Sequence, residues 1–158
     1  MELLYNFPLW SAIIAILFAQ AVKVPIRMIA TRDFNPGLAF STGGMPSSHS
    51  AAVTALATAV GLQEGFDSSM FGIATVFSII VMFDSTGVRR QSGEQAIVLN
   101  LLINDFQRFV DEAKLWNKKQ EFEKREEIRE LLGHQPIEVF FGGVTGILLS
   151  IILYYAIF

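Results

Sequence analysis

Gly43-Gly44-Met45-Pro46-Ser47-Ser48-His49-Ser50 runs directly into Ala51, Ala52, Val53, Ala55, Leu56 and Ala57. The first eight residues hold the ingredients of a turn that feeds a helix. Pro46 blocks helix upstream, Ser47 or Ser48 can cap, and the first-turn N–H groups are left without intrahelical acceptors. Such an end favours an anion, and two hydroxyls and an imidazole add side-chain donors. The small residues that follow suit a helix packed closely among others rather than one facing lipid.

The whole chain agrees with that setting. Of its 158 residues, 52% are hydrophobic and only 17% charged, too apolar for an ordinary water-soluble domain of this size. A formal net charge of -3 excludes an electrostatic case for nucleic acid. The chain has no cysteine, so neither a disulfide framework nor a thiolate metal site is available. Met1-Glu2 supplies no basic n-region, so the first apolar run reads as a membrane span rather than a cleavable signal.

Working outward, Phe7 to Val22 is apolar apart from Ser11 and Gln20, carries Trp10 near its start, and ends at Lys23. Residues 24–46, with Pro25, Arg27, Arg32, Asn35-Pro36-Gly37 and Gly43-Gly44, read as a loop with at most a helical turn. Ser47 to Leu62 is the second helix, of marginal length for a crossing. Ser69 to Phe83 is the third, and it runs into Asp84-Ser85-Thr86-Gly87-Val88-Arg89-Arg90. Residues 91–133 differ in kind: they are charged and helical in pattern, with an apolar stripe at Val98, Leu102, Phe106, Phe109, Ala113 and Trp116. A second charged helix, Asn117 to Leu132, would end at Gly133. Ile137 to Phe158 is the most apolar span. The expected architecture is therefore all-α: one polytopic membrane domain over 1–158, with about four membrane helices and a cytoplasmic helical insertion, 91–133, between the third and fourth.

All 12 Lys and Arg residues fall in two segments, 23–32 and 89–129. Four crossings put both on one side, which the positive-inside rule makes cytoplasmic, with both termini outside. One membrane face then gathers Lys23, Ser47-Ser48-His49, Arg89-Arg90 and His134. Glu138 lies one helical turn beyond His134, within reach of its ring.

These residues carry a resemblance. Pro46-Ser47-Ser48-His49 resembles the Pro-Ser-Gly-His signature of the phosphatidic acid phosphatase type 2 and vanadium haloperoxidase superfamily. His134-Gln135-Pro136-Ile137-Glu138 is similar to the end of that superfamily's Ser-Arg, five residues, His, three residues, Asp motif, with Glu in place of Asp. The arginine of that motif would be Arg89 or Arg90, which makes the motif split by the insertion; Arg129 is the local alternative, with four residues before His134. The likeness is greatest to the short, divergent bacterial and plant branch.

The resemblance implies hydrolysis of a phosphomonoester or diphosphate without metal or cofactor. His134 would attack phosphorus and form a phosphohistidine, oriented by Glu138, and His49 would protonate the leaving oxygen. Lys23, Arg32, Ser47, Ser48, Arg89 and Arg90 would hold phosphate oxygens. A site at headgroup level in a bacterial plasma membrane implies a phosphorylated lipid or prenyl phosphate from the inner leaflet. The alternatives are a catalytically inactive protein that binds or transports such a lipid, and a scaffold acting through its charged helices. A bundle this small leaves much surface to bury, which a homodimer would cover.

Overall fold

The computed structural model describes residues 5–32, 43–114 and 133–157, all helical apart from short connections. Five helices follow in order: α1 Phe7–Thr31, α2 Ser48–Glu64, α3 Ser69–Thr86, α4 Val88–Lys114 and α5 Pro136–Ile157. Among the described residues three stretches are long and apolar enough to cross a membrane: Phe7–Ile29, the α3-containing Ser69–Asp111, and Pro136–Ile157. The protein is a helical membrane bundle.

α1 corrects one expectation. It does not stop at Lys23 but continues to Thr31, through Pro25, and closes on Arg32 in the left-handed region at φ 55°. Proline removes one backbone donor, yet the three residues before it, Val22, Lys23 and Val24, keep the helix going because a single lost bond does not outweigh packing of the turn. The consequence is positional: Lys23 lies inside α1 and is 2% exposed. The second charged helix expected over Asn117–Leu132 lies outside the described residues.

α2 is the centre. It packs against α1, α3 and α5, while α1 and α3 make little direct contact with each other. Alanines explain the closeness on one side: Ala15 and Ala19 of α1 interlock with Ala51 and Ala55 of α2, with Leu149 of α5 against them. Toward α3, the Ser78 hydroxyl donates to the Val53 carbonyl at 2.7 Å as well as to Ala74 at 2.8 Å. Toward α5 the backbones nearly touch. A Cβ added at Gly142 would collide with the Ser47 carbonyl, and one at Gly146 with the Ala51 carbonyl. Thr54 closes this seam by donating to the Gly143 carbonyl at 3.0 Å. Close backbone approach through small residues is how helices associate where lipid removes the hydrophobic drive between them. The large apolar side chains point the other way: Leu17, Ile73, Ile80, Phe83 and Ile152 are exposed, as a lipid-facing surface requires.

α4 follows α3 after the single residue Gly87 and packs mainly against it. The apolar stripe at Val98, Leu102, Phe106 and Phe109 stays exposed, and among the described residues the buried positions of this helix are Gly93, Ala96 and Asn100.

The α2–α5 seam makes a direct prediction. Gly146→Ala should destabilise the protein by ~1–3 kcal/mol, the usual cost of overpacking. Gly72→Ala, where an added Cβ meets nothing within 4 Å, should be neutral or slightly stabilising. Thermal unfolding of the two variants in one detergent reads the contrast.

Candidate functional site

The site forms where the second half of α1 and the α3–α4 junction meet the N-termini of α2 and α5. At α2, Ser47 is the N-cap: its hydroxyl accepts from the Ser50 amide at 3.4 Å and from the Ser50 hydroxyl at 3.1 Å. Its carbonyl takes the Ala51 amide at 3.0 Å. The first-turn amides of Ser48 and His49 are thereby left as donors for another group. His49 itself is exposed, and Ser48 is buried beside it.

At α5 the chain enters through Gly133, which adopts φ 93° and lies against the backbone of Arg89 and Arg90 so tightly that any Cβ would collide with it. The next residue, His134, donates its backbone N–H to the Ser85 carbonyl at 3.0 Å. Two contacts thus fasten the start of α5 to the α3–α4 junction. They bring Arg89 and His134 together although 44 positions separate their numbers, 89 and 134, exclusive of the two ends.

His134 is 3% exposed. Its Nδ1 lies 3.0 Å from Glu138 Oε2. An ionised carboxylate only accepts, so toward it Nδ1 is the donor, and in the matching tautomer Nε2 keeps its lone pair. That Nε2 has no hydrogen-bond partner among the described residues. Glu138 is itself fixed: Oε2 also accepts from the Gln135 amide at 3.1 Å, and its backbone carbonyl accepts from the Ser47 amide at 2.9 Å. One residue therefore orients the His134 ring, caps α5 and ties the two histidine-bearing segments together.

The two rings stand 6.4 Å apart between centroids, inclined by 59°. Positive charge lies close by: Arg89 and Lys23 both act electrostatically on His49, and Glu138 acts on Lys23. Lys23 also passes beside Gly44, its Cδ 4.0 Å from where a Cβ would sit. Arg89 pairs through Nε with Asp84 at 2.7 Å, which orients the guanidinium and leaves its terminal Nη groups available. A cavity of about 330 Å³ opens in front of His49, Ser48 and Arg89.

The structure thus gathers His134, Glu138, His49, Ser48, Arg89 and Lys23. Ser47 sits behind them as a cap, its hydroxyl turned to Ser50. Arg90 pairs with Glu94 at 3.0 Å instead, and Arg32 is the exposed cap of α1; neither lines the cavity. Of the two candidate arginines, Arg89 is the one that faces His49. Gln20 escaped the sequence reading of the site: it lines the cavity, and its side-chain carbonyl is buried without a partner. The available signal was a glutamine one turn before Lys23 within an otherwise apolar span.

Residues 4–149 match the family described as Divergent PAP2 family. The chain belongs to that family. It is 61% identical over 155 residues to the uncharacterized membrane protein YuiD of Bacillus subtilis (strain 168), covering 98% of each chain. No solved structure matches it.

The carboxylate's hold on the ring can be read without any activity. In ¹⁵N-histidine-labelled protein the uncharged His134 ring should appear as the Nδ1–H tautomer alone. Glu138→Ala should let both tautomers appear. A spectrum unchanged by that substitution would show that something other than Glu138 orients the ring.

Proposed function

We propose that this protein is a metal-independent phosphatase of the bacterial plasma membrane, acting on a lipid or prenyl (pyro)phosphate through a phosphohistidine. The observation that carries the reading is the setting of His134: a buried ring whose Nδ1 lies against a carboxylate and whose Nε2 is unpartnered among the described residues, with a second histidine ring 6.4 Å away. A neutral imidazole oriented in this way is a nucleophile rather than a ligand clamp. An oriented histidine with a carboxylate behind it and cations beside it can polarise phosphate by its own charges.

In the first half-reaction His134 Nε2 forms a bond to phosphorus as the bond from phosphorus to the leaving oxygen breaks. His49, on the other side of the phosphate, gives its proton to that oxygen. Glu138 balances the charge that grows on the His134 ring. Arg89, Lys23 and the amides of Ser48 and His49 take up the negative charge on the phosphoryl oxygens as it spreads. In the second half-reaction water attacks phosphorus, its proton passes to His49, and the N–P bond breaks to release inorganic phosphate and regenerate both histidines. The basic segments at 23–32 and 89–129 support a cytoplasmic site with both termini outside.

The test is phosphate release by the purified protein from phosphatidic acid, prenyl phosphates and prenyl diphosphates, with EDTA and vanadate as additions. Release should resist EDTA and stop with vanadate. His134→Ala should abolish it, and His49→Ala should slow it by about 10²–10⁴-fold, the usual worth of a general acid. No release from any of these by folded protein, together with phospholipid binding that survives His134→Ala, would replace the enzyme with a lipid-binding protein.

A further inference from the structure

The cavity in front of His49 has two ends of different chemistry. One holds Ser48, His49 and Arg89. The other is walled by Ile16, Ala52, Val53, Phe77 and Val81, with Gln20 at the boundary. Three helices repeat the same step. On α1, Gln20 is one turn from Ile16; on α2, His49 is one turn from Ala52 and Val53; on α3, Val81 is one turn from Phe77. In each case the second residue lies deeper in the bundle. The floor is α2, and the walls are α1 and α3, which both pack on α2 but scarcely touch each other. The gap between them opens sideways, and its lips are exposed apolar residues, Ile16 at 39% and Phe77 at 51%. A slot open to the hydrocarbon region cannot stay empty, and water has too few polar partners there to fill it.

We infer that the α1–α3 slot receives the hydrocarbon chain of the substrate, so that a membrane lipid with a terminal phosphate enters sideways, chain and headgroup together. This inference rests on the phosphatase reading for the headgroup end. Its depth gives a further consequence. From the His49 level to the Ile16–Val53–Phe77 level is one helical turn, about 6 Å. The protein therefore grips only the first few carbons, and the rest of the chain lies in the bilayer. Discrimination falls on the carbons next to the phosphate, whereas total chain length is read weakly. A second apolar cavity of about 350 Å³, walled by residues such as Ile79, Ile147 and Ile151, has no histidine or arginine and serves as the built-in comparison.

Photocrosslinking in lipid nanodiscs tests the slot without requiring turnover. The probe is a long-chain alkyl monophosphate carrying a diazirine either next to the phosphate end or at the far end of the chain. The proximal probe should label Ile16, Gln20, Phe77 or Val81, and an excess of unlabelled alkyl phosphate should compete, whereas the matching alcohol should not. The distal probe should label lipid and exposed residues without preference. Ala52→Phe, which fills the slot, should cut proximal labelling about tenfold, while Thr58→Phe in the second cavity should leave it unchanged. Proximal labelling concentrated on Ile79, Ile147 or Ile151, or spread evenly over the exposed apolar surface, overturns the slot. Labelling confined to the slot with no phosphate released from the same lipid upholds it and removes the phosphatase reading. Phosphate release with labelling elsewhere does the reverse.

Discussion

Everything at the site depends on how closely α2 and α5 approach. Gly142 and Gly146 let the α5 backbone come against the carbonyls of Ser47 and Ala51, and Thr54 spans the seam to Gly143. The contact sets the spacing of two helix N-termini, and each N-terminus bears one histidine. With ordinary side chains in the seam, interaxial distances of 8–10 Å would be usual, and His49 and His134 would stand farther apart than their 6.4 Å. Packing in the apolar layer thus determines geometry in the polar one. Ser47 links the two layers, because it caps α2 while its amide is held by the Glu138 carbonyl.

Buried polar groups in such a bundle are costly unless satisfied, so their arrangement is informative. Lys23 is almost fully buried, yet it lies within the field of Glu138. Glu138, in turn, is committed to the His134 ring and the Gln135 amide. The serines and threonines deeper in the bundle mostly return their hydroxyls to backbone carbonyls, as Ser78 and Thr54 do. Against that background two atoms stand out at the site: His134 Nε2 and the Gln20 carbonyl, both buried and both without a partner among the described residues. Buried acceptors left without a partner carry a desolvation cost that a bound donor would offset.

Much of this was legible in the residues. Periodicity and composition are sufficient to recognise apolar helices, because a span needs ~20 apolar residues whatever it packs against. Both histidines, Glu138 and the Ser47 cap follow from local rules of helix ends. Three things were not legible. The extension of α1 to Thr31 runs against the proline signal at Pro25, since tertiary packing outweighs one missing hydrogen bond. The choice of Arg89 over Arg90 depends on which face of α4's first turn looks inward, and consecutive residues on a helix point about 100° apart. Gln20 could not be assigned, because only the divergence of α1 from α3 creates the cavity it lines. The apolar stripe of α4 was read correctly as a pattern, but a pattern does not say what covers it, and Val98, Leu102, Phe106 and Phe109 remain exposed.

The split between Arg89 and His134 resolves in the same physical terms. Joining two points of a chain through a longer excursion costs little extra: each doubling of loop length adds only about 0.6 kcal/mol. What matters is that the two ends be fastened to each other. Here the His134 amide is bonded to the Ser85 carbonyl, and Gly133 rests on the Arg89–Arg90 backbone in a conformation and a space that suit glycine alone. The excursion over 91–132 therefore leaves and returns at one place. Arg89 and His134 are neighbours through backbone contacts, not through sequence spacing. A motif defined by contact can be interrupted at this point without moving its chemistry, provided Gly133 and Ser85 keep the clasp closed.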